Sequence, residues 1–325
     1  MSIKNKIIFT VFIAICVAFV FCSPFWIGEK KRKEHFFVFN TPCSVTFWGC
    51  DTSAWDTALA ELLQAMQSIN DCLNVYDEKS ELSRLNATAA DAPFKCSDQL
   101  WDVLAAAREA WRRTEHAYDP SVGPLMRLWG FHAKRETVPT QEEIDAALET
   151  VGLGKVVFDD AAKSVMFSVK GMSLDCGGIA KGYGCDVAAA ILKRHDINTY
   201  IIDLGGNLML SETPPRGQKA FHVAIRDPRK KGGIHSDGQE CKGVAVATSG
   251  NYERSRIIDG RRVGHIMDPV TGRPGGEFFV SVTAITPKGV DSDAFSTAGF
   301  VRGEPLMNKL SGEMPGTSFT IIYDN

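Results

Sequence analysis

Residues 171–186 read GMSLDCGGIAKGYGCD. Ahead of Asp175 lies a short alternating run, Val165, Phe167 and Val169, of the kind that forms a β-strand. Gly177 and Gly178 then turn the chain into a segment that begins Ile179, Ala180, Lys181, Gly182 and carries helical apolar spacing. A strand that turns through paired glycines into a helix leaves the first backbone N–H groups of that helix unpaired and pointing outward, which suits a phosphate. Asp175 and Lys181 add a carboxylate and an ammonium at the same corner. The spacing is neither GxGxxG nor that of a P-loop. Taken alone, the stretch reads equally as a tight β–α turn with a surface ion pair, so its neighbours decide.

Upstream, Phe36 to Trp48 reads as an opening strand broken at Pro42. Ser53 with Asp56 reads as the cap of a helix carrying Leu59, Leu62, Leu63, Met66 and Ile69 on one face. LNVYDEKSELSRLN (73–86) is a polar loop around Tyr76, and Leu100, Leu104, Ala107 and Trp111 mark a second helix. YDPSVGPLMRLWGF (118–131) is rich enough in turn residues to read as a loop, and Gln141 to Thr150 as a short acidic helix. Downstream, Asp186 to Arg194 is helical, and YIIDLGGNLML (200–210) is a strand interrupted at Gly205-Gly206. Arg216 to Lys242 is polar and basic, a hairpin with an insertion. Gly243–Thr248, Phe279–Thr286 and Phe319–Tyr323 are three further strands. Strands and helices in irregular order with many tight turns give an α+β fold, and no linker divides the body.

The net charge of −3 with both signs mixed gives no reason to expect a nucleic-acid partner. Lys4 and Lys6 precede an uncharged, mostly apolar run from Ile7 to Ile27, and Lys30, Lys31, Arg32 and Lys33 follow it. A run of that length spans a bilayer core, and small residues at a cleavage site are missing, so residues 1–33 read as an uncleaved signal-anchor and 34–325 as the body. Cys16 and Cys22 sit in poor lipid-attachment contexts. The nine cysteines include no CxxC and no zinc spacing. In an exported body Cys43 with Cys50, or Cys72 with Cys96, are open pairings, while Cys176 and Cys185 read as small buried residues.

Four further clusters can carry chemistry: Asp119 with Ser121 and Gly123; ATSGNYER (247–254); GHIMDPVTGRP (264–274); and GVDSDAFSTAGFV (289–301). Asp293 and Thr297 are four apart, which on a helix puts carboxylate and hydroxyl on one face, within reach of a shared cation. So few hard oxygens suit Mg2+, which keeps waters and takes phosphate oxygens. The alternative is a dipole-favouring carboxylate and a core threonine. His265 is either a general base for a hydroxyl nucleophile or an ordinary hydrogen-bonded residue. Tyr76, Tyr118 and Met267 can pack on a flat ring or simply fill core.

In this order the clusters resemble the FAD:protein FMN transferase (ApbE-like) family. The resemblance rests on LNVYDEKSELSRLN, YDPSVGPLMRLWGF, SLDCGGIAKGYGCD, IDLGGN, TSGNYER, GHIMDPVTGRP and VDSDAFSTA, spread from about Thr41 to Val301. It implies an enzyme that splits FAD at its pyrophosphate, moves FMN onto a Thr or Ser hydroxyl of a target protein and releases AMP, with Mg2+ required. By the same resemblance Asp293 and Thr297 hold the metal with the backbone carbonyl of Gly178. Tyr76, Ala117, Tyr118, Asp119, Asp175, Lys181 and Met267 touch FAD, and His265 assists the attacking hydroxyl. It implies an α+β fold of two related lobes of mostly antiparallel sheet with packed helices. It further implies a body tethered to the bacterial inner membrane and facing the periplasm, with an acceptor that is a subunit of a membrane redox complex. The chain departs from the family at Cys176, at Asn251 and at Glu115-His116, and its basic insertion around Lys230 has no family counterpart. A Mg2+-dependent FAD pyrophosphatase, a flavin-binding lipoprotein without turnover and a membrane-tethered scaffold are the competing readings.

Overall fold

The computed structural model describes residues 30–324 except 50, 133, 230–232, 236–237, 253 and 277–278. The apolar run 7–27 and the centre of the basic insertion at Lys230 therefore lie outside the described residues. Among the described residues no helix is long and apolar enough to cross a membrane. Lys31, Arg32 and Lys33, assigned from sequence to the anchor, already belong to the first strand.

That strand, β1 (Lys31–Val38), forms a hairpin with β2 (Thr41–Trp48). The turn falls at Phe39 and Asn40, both at positive φ, and not at Pro42. Two central residues with φ above zero make the hairpin turn whose twist matches its strands. Pro42 sits in β2 just before Cys43, where pairing with β6 (Tyr200–Leu204) begins, so its missing N–H takes nothing from that ladder.

Between these strands the chain builds its first helical layer. α1 (Thr52–Leu73) is capped by Asp51, which accepts from the Ala54 N–H, in place of the expected Ser53. The stretch read as a polar loop contains α2 (Glu81–Thr88), because Ser80 caps it through the Ser83 N–H. β3 (Phe94–Lys95) and α3 (Asp98–Arg113) follow. The 118–131 stretch also forms regular structure: a 3-10 turn at Pro120–Val122 and α4 (Gly123–Leu128), started by Pro124 at a position where its absent N–H is not needed. α5 (Gln141–Leu148) carries a capping box from Thr140 and Glu143. β4 (Val156–Asp159) and β5 (Ser164–Phe167) join β3 in a three-stranded sheet.

α6 (Ala180–Arg194) leads into β6, which turns through Gly205-Gly206 into β7 (Asn207–Leu210). Both glycines have positive φ, and the interruption of the strand is a hairpin turn. β8 (Phe221–Val223) and β9 (Gln239–Cys241) pair within the polar segment, as expected. β10 (Ala245–Gly250), the hairpin β11 (Ser255–Ile258) and β12 (Arg261–Gly264), β13 (Phe279–Thr286), α7 (Gly289–Arg302), α8 (Glu304–Glu313) and β14 (Ser318–Tyr323) complete the chain.

The fold is α+β and antiparallel. Strands from both halves of the chain share one seven-stranded sheet in the order β1-β2-β6-β7-β10-β13-β14. Its main core sets Val45, Phe47, Ile202 and Leu204 of the sheet against Leu62 and Met66 of α1, Leu104 of α3, Ile191 of α6 and Phe295 of α7. A second cluster joins Leu125, Met126, Trp129, Phe131, Ile144, Ile258, Val263 and Met267, and so ties α4, α5 and β11–β12 together beside the sheet. Among the described residues Cys43, Cys72, Cys96, Cys176, Cys185 and Cys241 are buried and free, so Cys72–Cys96 is not formed, while Cys50, the other half of the Cys43 pairing, lies outside the described residues.

Candidate active site

The site is made where α6 and α7 begin. The two helices meet at Gly182 and Gly289 with no room for a side chain on either: a Cβ on Gly182 would lie 2.2 Å from the Gly289 carbonyl oxygen, and one on Gly289 2.2 Å from that of Gly182. The side chain at the N-cap of α7, Lys288, makes no capping bond. The carboxylate of Asp186, one turn on from Gly182 in α6, supplies the cap, accepting the N–H groups of Gly289 (2.7 Å) and Val290 (2.9 Å). Backbone contact and cap together lock the starts of the two helices to each other.

That lock sets Asp293. One of its oxygens accepts the Gly182 N–H at 2.9 Å, and the other lies 3.7 Å from the Lys181 ammonium. Asp293 is 4% exposed. One turn later the Thr297 hydroxyl donates to the Asp293 carbonyl (3.0 Å) and lies 3.2 Å from the hydroxyl of Ser249 in β10. Gly178 fits against this face: a Cβ there would be 3.2 Å from Thr297 Oγ1 and 3.2 Å from Cε2 of Tyr118. The structure thus brings together Gly178, Lys181, Asp293 and Thr297, which the sequence places in two distant segments. The buried hydroxyl of Tyr118 has no hydrogen-bond partner among the described residues. Burial, with Cys176, Asp293, Asp175 and Asp119 around it, raises its pKa well above the usual tyrosine value.

Asp175 holds the other side of the glycine corner. Its backbone N–H donates to the Pro120 carbonyl (2.7 Å), its Oδ1 accepts the Gly177 N–H (2.7 Å), and its Oδ2 lies 2.8 Å from His132 Nε2. Burial pushes the carboxyl up, but His132 first, then the Gly177 N–H and the Arg254 charge, outweigh it and hold it below the usual carboxylate range. His132 meets the ring of Tyr76 edge-on at 5.5 Å. Tyr76 itself is 55% exposed, with its ring under the Arg254 guanidinium, which also bonds its hydroxyl.

His265 follows β12 directly and is half-buried. Its Nδ1 lies 3.0 Å from the Arg254 carbonyl oxygen. A carbonyl only accepts, so Nδ1 carries the proton and Nε2 the lone pair. Burial, and then the cations of Arg254 and Lys181, push its pKa down to about 4, which leaves the ring neutral at pH 7. Lys181 and Asp175 are among the charges that act on His265.

Three expected flavin contacts sit deeper. Asp119 has both oxygens occupied: one by the N–H and hydroxyl of Ser121 (2.8 and 2.6 Å), the other by the Leu153 N–H (3.0 Å) and Trp111 Nε1 (3.1 Å). Burial raises its pKa against these bonds, and its work is to hold the 118–123 turn in place. Ala117 and Met267 are buried, Met267 within the second cluster. The sequence reading missed His132, Ser249 and Asp186. Ser249 and Asp186 stood inside quoted motifs, whereas His132 lies just beyond one. The unusual Glu115-His116 pair sits at positive φ, the backbone shape for which a small residue is the usual choice.

Residues 39–319 match the model of the ApbE family. A protein of Vibrio cholerae described as an FAD:protein FMN transferase is 33% identical over 76% of this chain and 74% of its own length. One of Treponema pallidum with the same description is 32% identical over 91% and 85%. Among solved structures, the ApbE protein of Thermotoga maritima superposes with a TM-score of 0.81 at 31% identity, covering 90% of this chain and 94% of its own. The flavin transferase ApbE of Vibrio cholerae gives 0.78 at 28%, covering 91% and 98%.

Proposed function

The chain belongs to the ApbE family, and we propose that it moves FMN from FAD onto a threonine or serine hydroxyl of an acceptor protein and releases AMP. The observation that supports this most is the convergence of Gly178, Lys181, Asp293 and Thr297 at the start of α6, beside a histidine kept neutral. One carboxylate, one hydroxyl and one backbone carbonyl form a small, hard oxygen set, which fits Mg2+ with waters and phosphate oxygens in its other positions. Asp293, Thr297 and the Gly178 carbonyl would hold the ion, and when bound it would neutralise charge developing on the pyrophosphate.

The chain's own groups account for the rest. Lys181 holds the phosphates by charge, because the Ala180 N–H at the start of α6 is taken by the Cys176 carbonyl and the Gly182 N–H by Asp293. Tyr76, exposed at the rim under Arg254, offers a face to the flat ring system. The acceptor hydroxyl attacks the phosphorus of the FMN half. Its oxygen forms the new P–O bond, the bond to the AMP phosphate breaks, and AMP leaves with the electron pair. His265 Nε2 takes the hydroxyl proton.

The uncharged run 7–27 supports anchoring in the bacterial inner membrane; with basic residues on both flanks it carries little orientation, and the periplasmic placement of the body follows the family resemblance. There the acceptor would be a subunit of a membrane redox complex. Incubating the protein with FAD, Mg2+ and candidate acceptors, and reading acceptor mass, tests the central reaction. A mass gain of one FMN with matching AMP supports transfer. Free FMN and AMP with no adduct would instead identify a pyrophosphatase. Protease treatment of intact spheroplasts tests the topology: the body is cut if it faces the periplasm and survives if it faces the cytoplasm.

A further inference from the structure

β11–β12 is a two-stranded sheet that, among the described residues, pairs with no other strand. Ile258 and Val263 bury its inner face in the second cluster, while Ile257, 65% exposed, stands on its outer face opposite Arg262. The hairpin is held at both ends. At its tip Asp259 donates its N–H to the Glu136 carbonyl (3.3 Å) and accepts the Val138 N–H (2.9 Å). At its base the Arg254 carbonyl meets His265.

Residues 254–262 carry four arginines, at 254, 256, 261 and 262. Arg254 lies over Tyr76 and Arg256 over Phe131 (5.9 Å to the ring centre). Among the described residues none of the four forms an ion pair with a carboxylate, whereas Arg108, Arg113 and Arg135 elsewhere on the surface each do. Like charges crowded on one rigid hairpin repel one another, and an anionic partner relieves that repulsion.

We propose that β11–β12 is the docking surface for the acceptor protein and that it selects an acidic stretch set apart from the modified hydroxyl. The identity of the occupant rests on the transfer reading above. Any chain that presents a hydroxyl to His265 must pass the base of this hairpin, because His265 is the residue after β12. Arg261 lies three strand residues back from Gly264, about 10 Å at the rise of an extended chain. The acidic run therefore falls three or more residues from the modified Thr or Ser. Ile257 beside Arg262 on the outer face suits an apolar side chain of the same segment, and a strand edge suits its backbone. This apolar contact and the hairpin's attachment to the site favour a protein segment over a lipid surface.

The test uses synthetic peptides of equal length with a central Thr. One carries a run of Asp and Glu four residues away, one the Asn/Gln isostere and one a Lys run. Binding to the full chain is read by fluorescence anisotropy, independently of turnover. The acidic peptide is expected to bind about tenfold or more tightly than the isostere, with the advantage shrinking at high salt. Arg261→Glu with Arg262→Glu is expected to erase it or invert it towards the Lys peptide, and the milder Arg261→Gln with Arg262→Gln to reduce it. AMP release from FAD without acceptor should stay at the wild-type rate in both variants. Equal binding of acidic and neutral peptides overturns the proposal, as does an advantage that survives the double reversal. Arginine-dependent binding of phosphatidylglycerol vesicles with no peptide preference also overturns it, in favour of a lipid surface. Peptide selectivity without any FMN adduct leaves the docking surface standing and contradicts only the transfer reading.

Discussion

The pKa of about 4 at His265 has a direct consequence for rate. A solvated histidine is half protonated near pH 6.5 and is a poor base below that point. Here burial and two cations keep Nε2 unprotonated well below neutrality. The expected kcat/KM for FMN transfer is therefore flat from pH 7 down to about pH 5. A fall by half near pH 6.5 that vanishes in His265→Gln would contradict this environment. Stability follows the same sign: the unfolded chain takes up this proton near pH 6.5 and the folded chain only near 4, so folding weakens as pH drops between them. At this scale the sequence was informative where roles repeat at fixed spacing, as with Asp293 and Thr297, or where a histidine opens a turn motif. It was silent on His132 and on the hydrogen-bond partners of Asp119. His132 acquires its role from Asp175, which lies 43 residues away, and Asp119 loses its carboxylate to Leu153 and Trp111 only once the chain has folded.

Among the elements, the site depends on one helix pair. Gly182→Ala would place a methyl group 2.2 Å from the Gly289 carbonyl, with backbone on one side and Asp293 Cβ at 2.8 Å on the other. No flexible side chain can yield, so α6 and α7 must part, at a cost of about 1–3 kcal/mol or more. The expected variant has a lower denaturation midpoint and a larger loss of transfer activity than of stability, because the Gly182 N–H bond to Asp293 goes with the close approach. Wild-type activity with wild-type melting would show that the contact is dispensable. Asp186→Ala removes the cap of α7 and is expected to cost about 0.5–2 kcal/mol, read from urea midpoints. The long helices α1 and α3 were legible from sequence because their apolar faces recur every turn, whereas the short α2 and α4 lay in stretches read as loops. Hairpin turns were misplaced: Phe39-Asn40 carries no strong turn signal, and Gly205-Gly206 satisfies both a bulge and a turn until the pairing partners are known.

The whole molecule is organised so that the sheet and its helices share one core while the site sits at that core's edge. Phe295 makes the dependence testable: it lies in α7 two residues after Asp293 and is fully buried in the main cluster. Phe295→Ala is expected to destabilise the protein by about 3–5 kcal/mol, with the site lost in the same transition as the fold. An α+β body was readable from the alternation of element types. The union of both halves in a single seven-stranded sheet was not, because strand order is set by long-range pairing that no local pattern encodes. Everything functional in this account rests on the α7 carboxylate meeting the glycine corner. The measurement that addresses it is the rate of FMN-adduct formation by Asp293→Ala, at saturating Mg2+ and FAD, in protein whose melting shows it folded. The account predicts a fall of about a hundredfold or more. Adduct formation at the wild-type rate would contradict it.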